Sequence, residues 1–124
     1  MRRYISGNID HKLWYAVQPS DAADRFGVAG YQPEILEYIF EKDDIVSVEN
    51  EINSIADSLG KYKDLLDKFF NENYVHNDEQ LSRYLEVEIE ETKKLLKEYA
   101  DLKLGILIRD CIKRNGSCSF TADL

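Results

Sequence analysis

The sequence predicts an α+β domain in which a small antiparallel sheet packs against four to five helices. Three observations predict it: aromatic and β-branched stretches at the N-terminus, apolar residues at helical spacing through the middle, and a segment of strict alternation at the C-terminus. The C-terminal segment, Ser117 to Asp123, must pair with another strand, and an N-terminal hairpin is the best candidate. The two ends of the chain are therefore expected to meet in one sheet.

The N-terminal segment has the pattern of a β-hairpin followed by a short helix. Residues 3–10 and 12–18 are rich in aromatic and β-branched side chains, and the polar region Asn8 to Lys12 joins them. Both faces of the second strand are partly apolar, which predicts that it is central in the sheet. The helix should begin at Ser20 as N-cap and end at Gly27.

The middle of the chain is mainly helical. The segment Pro33 to Phe40 fits a helix or a strand, and its aromatic and β-branched content favours a strand. An apolar stripe then predicts a helix from Asp43 to Leu59, stopped by Gly60. Further helical patterns run from Tyr62 to Phe70, from Asp78 to Leu85 and from about Glu88 to Asn115, where Gly105 could kink or divide the last helix.

The length of 124 residues suits a single domain, residues 1–124, that buries its own core. Cys111 and Cys118 have neither zinc nor redox spacing, so we expect two buried thiols on a helix and a strand. No apolar run is long enough to cross a bilayer, so a membrane location is not expected. We expect a cytoplasmic protein, located in the host cytoplasm if a phage encodes it.

Charge is concentrated in one window, Glu34 to Leu59, which holds eight acids against one lysine in a chain of net charge -8. Such a surface attracts basic partners and repels nucleic acid. The candidate partner-binding residues are Glu37, Glu41, Asp44 and Glu51. If the segment is helical throughout, the first three have the spacing of a phosphate-like row. A solvated helix face is the alternative.

Residues Asp78 to Lys97 resemble a helix-turn-helix, the motif of many DNA-binding regulators. Glu86 stands where the motif has its turn glycine, and Thr92 replaces an aliphatic residue. The acids at the start of the second helix would lie beside DNA phosphates, which opposes DNA binding. The apolar positions of the motif are occupied by Leu81, Leu85, Val87 and Leu95, and the opposing acids are Glu88, Glu90 and Glu91.

A basic group near the C-terminus comprises Arg109, Lys113 and Arg114, with Lys103 six residues before Arg109. Cations are favoured at the end of a helix by its dipole, which explains them locally. The functional alternative is a site for a nucleotide-like small molecule, since arginine and lysine bind phosphate.

Catalytic signals are isolated. His11 and His76 have no nucleophile at a motif spacing and are expected on the surface. Asp21 and Asp24 are explained by the start of the short helix. We therefore expect no enzyme, no metal and no cofactor.

The sequence therefore predicts a non-catalytic protein-binding domain that acts on a basic protein partner. In composition alone it resembles the small acidic inhibitors that phages and mobile elements direct against host defence proteins. A DNA-binding regulator and a binder of a nucleotide-like molecule are the alternatives, and a homodimer is left open.

Overall fold

The computed structural model describes residues 3–14, 17–28, 36–72 and 77–122. Within these ranges the chain forms four strands, four α-helices and two short 3-10 helices. The elements are β1 (Tyr4–Gly7), β2 (His11–Lys12), a 3-10 helix (Ala22–Phe26), β3 (Leu36–Glu41), a 3-10 helix (Lys42–Asp44), α1 (Ile45–Leu59), α2 (Lys61–Glu72), α3 (Asp78–Leu85), α4 (Ile89–Asn115) and β4 (Ser117–Ala122). The architecture is broadly α+β, as predicted.

The sheet is antiparallel with the strand order β2-β1-β4-β3. The C-terminal strand β4 pairs with β1 of the hairpin, so the two ends of the chain meet in one sheet. The other side of β4 pairs with β3 along the whole strand, from Leu36 opposite Ala122 to Glu41 opposite Ser117. The strand interpretation of Pro33 to Phe40 is confirmed from residue 36 onward, and residues 33–35 lie outside the described ranges. The sheet thus contains one strand more than the predicted hairpin and C-terminal strand.

The prediction that the second hairpin strand is central is wrong. Strand β2 has only two residues and lies at an edge of the sheet. After it the chain turns, because the amides of Val17 and Gln18 both donate to the carbonyl of Trp14. The Trp14 ring then packs edge-on against Phe70 and Tyr99, with centroids 5.5 and 6.1 Å away. Trp14 is thus a partly buried residue that packs against the core.

The following segment is a 3-10 helix rather than an α-helix, and Ser20 does not cap it. The Ser20 hydroxyl instead accepts a hydrogen bond of 2.9 Å from the Arg3 guanidinium. Gly27 ends the helix as predicted, with a φ of 108° that glycine adopts without strain.

The core lies between the inner face of the sheet and the helices. Tyr38, Phe40 and Phe120 form a stack of rings with centroids 5.3 to 6.2 Å apart. The predicted stripe on α1 is largely confirmed: Val48, Ile52, Ile55 and Leu59 are buried, whereas Ile45 is half-buried. Cys111 and Cys118 are buried free thiols on α4 and β4, as expected.

Gly105 does not divide the last helix, since α4 runs unbroken from Ile89 to Asn115. Its role is close packing. A Cβ at this position would lie 2.5 Å from the Phe26 ring and 3.0 Å from Ile52, so the absent side chain lets α4 approach both neighbours. None of the helices in the described ranges combines the length and apolar content needed to cross a membrane.

Candidate protein-binding surface

Strand β3 carries the first part of the acidic window at one edge of the sheet. Its side chains alternate: Leu36, Tyr38 and Phe40 are buried, while Glu37, Ile39 and Glu41 are exposed. Ile39 is 62% exposed. The outward face of β3 therefore presents an apolar side chain between two carboxylates.

The peptide groups of β3 also alternate in direction, toward β4 at one residue and away from it at the next. The Asn8 amide donates to the Ser119 carbonyl at 2.7 Å, so the peptide groups of Ser119 point toward β1. In an antiparallel ladder the peptide N–H and C=O groups of successive residues point to opposite neighbouring strands. The peptide groups of Cys118 and Phe120 therefore point toward β3. From the register, these two pair with Phe40 and Tyr38.

It follows that Glu37, Ile39 and Glu41 direct their peptide groups away from β4. The Glu41 amide agrees with this, because it donates to the Asp44 carboxylate at 2.8 Å. Among the strands of the described ranges, β3 pairs only with β4. Within the part of the chain that the structure describes, Glu37 and Ile39 therefore form an open stretch of sheet edge.

The four predicted partner-binding acids do not form one row. Glu37 lies in a strand, so the helical spacing from Glu37 to Glu41 is not realised and the two are about 13 Å apart along the strand. Glu41 and Asp44 are brought together by reciprocal side-chain to backbone hydrogen bonds. Glu51 lies on α1, where it forms an ion pair of 2.7 Å with Arg25. Glu37 and Glu41 are therefore the acids that remain exposed on the sheet.

A shallow groove of about 290 Å³ crosses the outer face of the sheet beside these residues. Its floor is built from small polar side chains, including Ser6, Ser119 and Thr121, and its border includes Glu37 and Ile39. A partner's side chains could lie here without steric conflict.

The predicted phosphate-binding cations have intramolecular partners or lie at the helix end. Arg109 donates to Asp110 at 3.0 Å, and Lys113 lies 3.4 Å from Glu49. A groove of about 200 Å³ between α1 and α4 includes Arg109 and Lys113, but Glu49 also lines it and would repel a phosphate. Arg114 is exposed in the last turn of α4, where a cation is stabilised by the helix dipole.

The helices α3 and α4 pack with the expected helix-turn-helix pattern of burial. Leu81, Leu85 and Leu95 are buried, and Val87 packs against the core. Glu86 has a φ of 59°, the left-handed conformation for which the motif has glycine. Thr92 is buried and its hydroxyl donates to the Glu88 carbonyl at 3.0 Å. Both departures from the motif are thus accommodated.

The exposed start of α4 is acidic, since Glu88, Glu90 and Glu91 all face solvent. In a DNA-binding helix-turn-helix this part of the second helix enters the major groove. Three carboxylates there would be repelled by phosphates, so the charge of this surface opposes DNA binding.

A buried polar network that we did not predict from the sequence holds the N-terminal segment against α4. The Asp101 carboxylate has no exposed surface and accepts from Arg25 at 2.6 Å, from Lys97 at 2.9 Å and from Gln18 at 2.9 Å. Burial acts to lower the pKa of Arg25, but its bonds to Asp101 and Glu51 raise it by more, so the guanidinium stays charged. The one sequence signal was an aspartate within the apolar surroundings of α4.

His11 joins this network, so the prediction that it is a surface residue is wrong. It is half-buried and its Nε2–H donates to the Gln18 carboxamide oxygen at 2.8 Å. Burial lowers the pKa of His11 more than this hydrogen bond and the charge of Asp101 raise it. His76 lies outside the described ranges. Asp24 accepts a hydrogen bond from the Tyr38 hydroxyl, and Asp21 occupies the start of the 3-10 helix.

The described part of the chain contains no group of three or more histidine, cysteine, aspartate or glutamate side chains placed to hold a metal ion. The surface features are therefore an acidic sheet edge, a helix pair with an acidic exposed start, and a groove lined by both charges. Comparisons with protein-family models, with curated proteins and with solved structures found no match to this chain.

Proposed function

We propose that this chain is a protein-binding domain that uses the acidic edge strand β3 to engage a partner with a basic surface. The observation that carries the proposal is the exposure of Ile39 between Glu37 and Glu41, on a strand whose outer edge has no partner among the described strands. An apolar anchor within charged residues is a common arrangement of binding sites. An inhibitor of a host defence protein, encoded by a phage or mobile element, is one specific form of this proposal.

The charges around β3 support this choice of partner. Neither Glu37 nor Glu41 forms an ion pair within the described residues, whereas Glu49 and Glu51 are paired with Lys113 and Arg25. Asp44 adds a third carboxylate at the end of the strand, beside the Glu41 amide. Glu37, Glu41 and Asp44 thus form a local group of carboxylates at β3, and such a group attracts a basic partner.

The test is affinity capture from a lysate of the source cell, with three versions of the protein as bait. The first is the natural chain, the second carries Glu37→Lys and Glu41→Lys, and the third carries Glu72→Lys and Glu86→Lys. The third is a matched control, because both of its glutamates are exposed and its net charge changes equally.

We expect basic proteins that are captured by the natural and control baits and are lost from the Glu37/Glu41 bait. Their capture should weaken as salt is raised from about 50 to 300 mM, because screening shortens the range of surface charges. The same set of proteins on all three baits would overturn the proposal.

DNA binding is kept as a second candidate because of the α3–α4 geometry, in which Glu86 adopts the left-handed turn conformation. An electrophoretic mobility shift assay at low salt, using the DNA upstream of the gene and a random duplex, tests it. Binding would have to overcome repulsion from Glu88, Glu90 and Glu91. The absence of a shift at low salt would end this candidate.

A further inference from the structure

We propose that the partner binds as an extended basic segment that adds a fifth strand to the sheet along β3. This inference rests on the proposed function and specifies how the partner is recognised. Strand addition combines backbone hydrogen bonds, which supply affinity, with side chains at alternate positions, which supply specificity. Strand β3 offers both.

The backbone component comes from two residues. Glu37 and Ile39 each direct one N–H and one C=O away from β4, as the register and the bond from Asn8 to Ser119 require. The Glu41 amide is already bonded to Asp44, which closes the edge at that end. An incoming strand would therefore pair with a short edge centred between Glu37 and Ile39.

The side chains define the sequence of the incoming segment. Residues opposite Glu37 and Glu41 on the outer face would be lysine or arginine, and the residue opposite Ile39 would be apolar. The pattern is basic, any, apolar, any, basic. The groove beside Ile39, floored by Ser119 and Thr121, leaves space for a long basic side chain to lie across the sheet.

A second copy of this chain would meet charge repulsion in two of the registers open to it. Antiparallel pairing centred on Ile39 would place Glu37 opposite Glu41, and parallel pairing in register would place each glutamate beside its own copy. Like charges directly opposite each other destabilise a sheet. Charge complementarity therefore favours a basic segment over self-association, and the two carboxylates also protect the edge from pairing with further copies.

The test uses a defined probe, a peptide with the central sequence Lys-Thr-Val-Thr-Lys, added to the natural full-length chain. Hydrogen exchange followed by NMR gives the readout for individual amides. In the free protein the Tyr38 and Phe40 amides should exchange slowly, because they bond to β4, and the Glu37 and Ile39 amides should exchange fast. The peptide should slow exchange at Glu37 and Ile39.

Two N-methylated versions of the peptide form the matched control. In antiparallel pairing the valine N–H would face Ile39, whereas the threonine N–H groups would face away from β3. Methylation of the valine nitrogen should weaken binding at least about tenfold, and methylation of the threonine nitrogens should leave it within about twofold.

Equal binding of the two methylated peptides would overturn strand addition. If the Glu37→Lys, Glu41→Lys variant still failed to bind these peptides, the proposed function would stand and only strand addition would be rejected. No protection of the Glu37 and Ile39 amides at the highest soluble peptide concentration would overturn the inference as well. Protection that appears without peptide as protein concentration rises would assign the edge to a second copy and overturn the basic segment as its occupant.

Discussion

The guanidinium of Arg25 lies 2.6 Å from the carboxylate of Asp101, which is separated from it by 76 residues and has no solvent-exposed surface. This pair attaches the N-terminal segment to α4, and Arg25 extends the link to Glu51 of α1. Removal of one partner from a buried ion pair leaves an uncompensated charge. Arg25 therefore has a structural role that its place in a short 3-10 helix does not suggest.

Arg25→Ala is expected to lower the free energy of unfolding by about 3 kcal/mol, because Asp101 would remain buried with weaker partners. Urea unfolding followed by circular dichroism measures the change. Lys97→Ala is the matched control, since Lys97 also binds Asp101 but its side chain is 43% exposed. It should cost about 1 kcal/mol or less. Equal losses in the two variants would show that Arg25 has no special role.

The stability of the protein should decrease as the pH falls below the ordinary histidine pKa of 6.5. Burial lowers the pKa of His11 in the folded chain, so between that lowered pKa and 6.5 the unfolded chain binds a proton that the folded chain does not. Each proton taken up by the unfolded state shifts the equilibrium toward unfolding. The measurement is the free energy of unfolding in urea at a series of pH values from about 7 to 5.

The matched variant for this prediction is His11→Gln, which keeps a side-chain donor for the Gln18 carboxamide oxygen and does not titrate. Its stability should change less with pH over the same range. If the two profiles are parallel, the pH dependence comes from other groups and His11 contributes nothing to it.

Gly105→Ala should destabilise the protein by about 2 kcal/mol, although alanine normally favours a helix over glycine by about 1 kcal/mol. The reason is steric, because the new Cβ would lie 2.5 Å from the Phe26 ring. Thermal unfolding measures the effect. A smaller side chain at residue 26 should relieve this steric conflict. Phe26→Leu combined with Gly105→Ala should therefore lower the free energy of unfolding by less than the sum of the two single changes. An additive double variant would contradict this explanation.

Glu86→Gly should stabilise the protein by about 1 kcal/mol, because the φ of 59° at Glu86 is strained for residues other than glycine. Glu86→Ala serves as the control, since it removes the same charge but keeps a Cβ. A rise in melting temperature for glycine without one for alanine would confirm the backbone origin. A rise of the same size in both would instead indicate relief of charge repulsion.

Local patterns in the sequence were sufficient for most elements. The four helices follow from apolar periodicity and from stop signals such as Gly60 and Gly116, which end α1 and α4. The strand character of β4 follows from alternation, whereas aromatic and β-branched content favoured a strand over a helix for β3. The acidic window from Glu34 to Leu59 was also identified, because charged residues can be counted from the sequence alone.

The site was predicted less completely. Glu37 and Glu41 were predicted as partner-binding acids. The row that was to join them required a helix, but the segment is a strand. Glu51 was counted as a free acid, whereas Arg25 pairs with it from outside the acidic window. Ile39 was not singled out, because its exposure depends on the side of the strand that faces the helices.

The helices, the alternating strands and the concentration of negative charge could be predicted, because they arise from residues a few positions apart. Three features depend on the folded arrangement: β3 lies at an edge of the described sheet, β2 is short and peripheral, and Asp101 joins Arg25 within a buried network. These features depend on contacts between residues as far apart as Leu36 and Ala122. Such contacts form when apolar faces from the whole chain are buried together, and no local pattern specifies which distant partner each group meets.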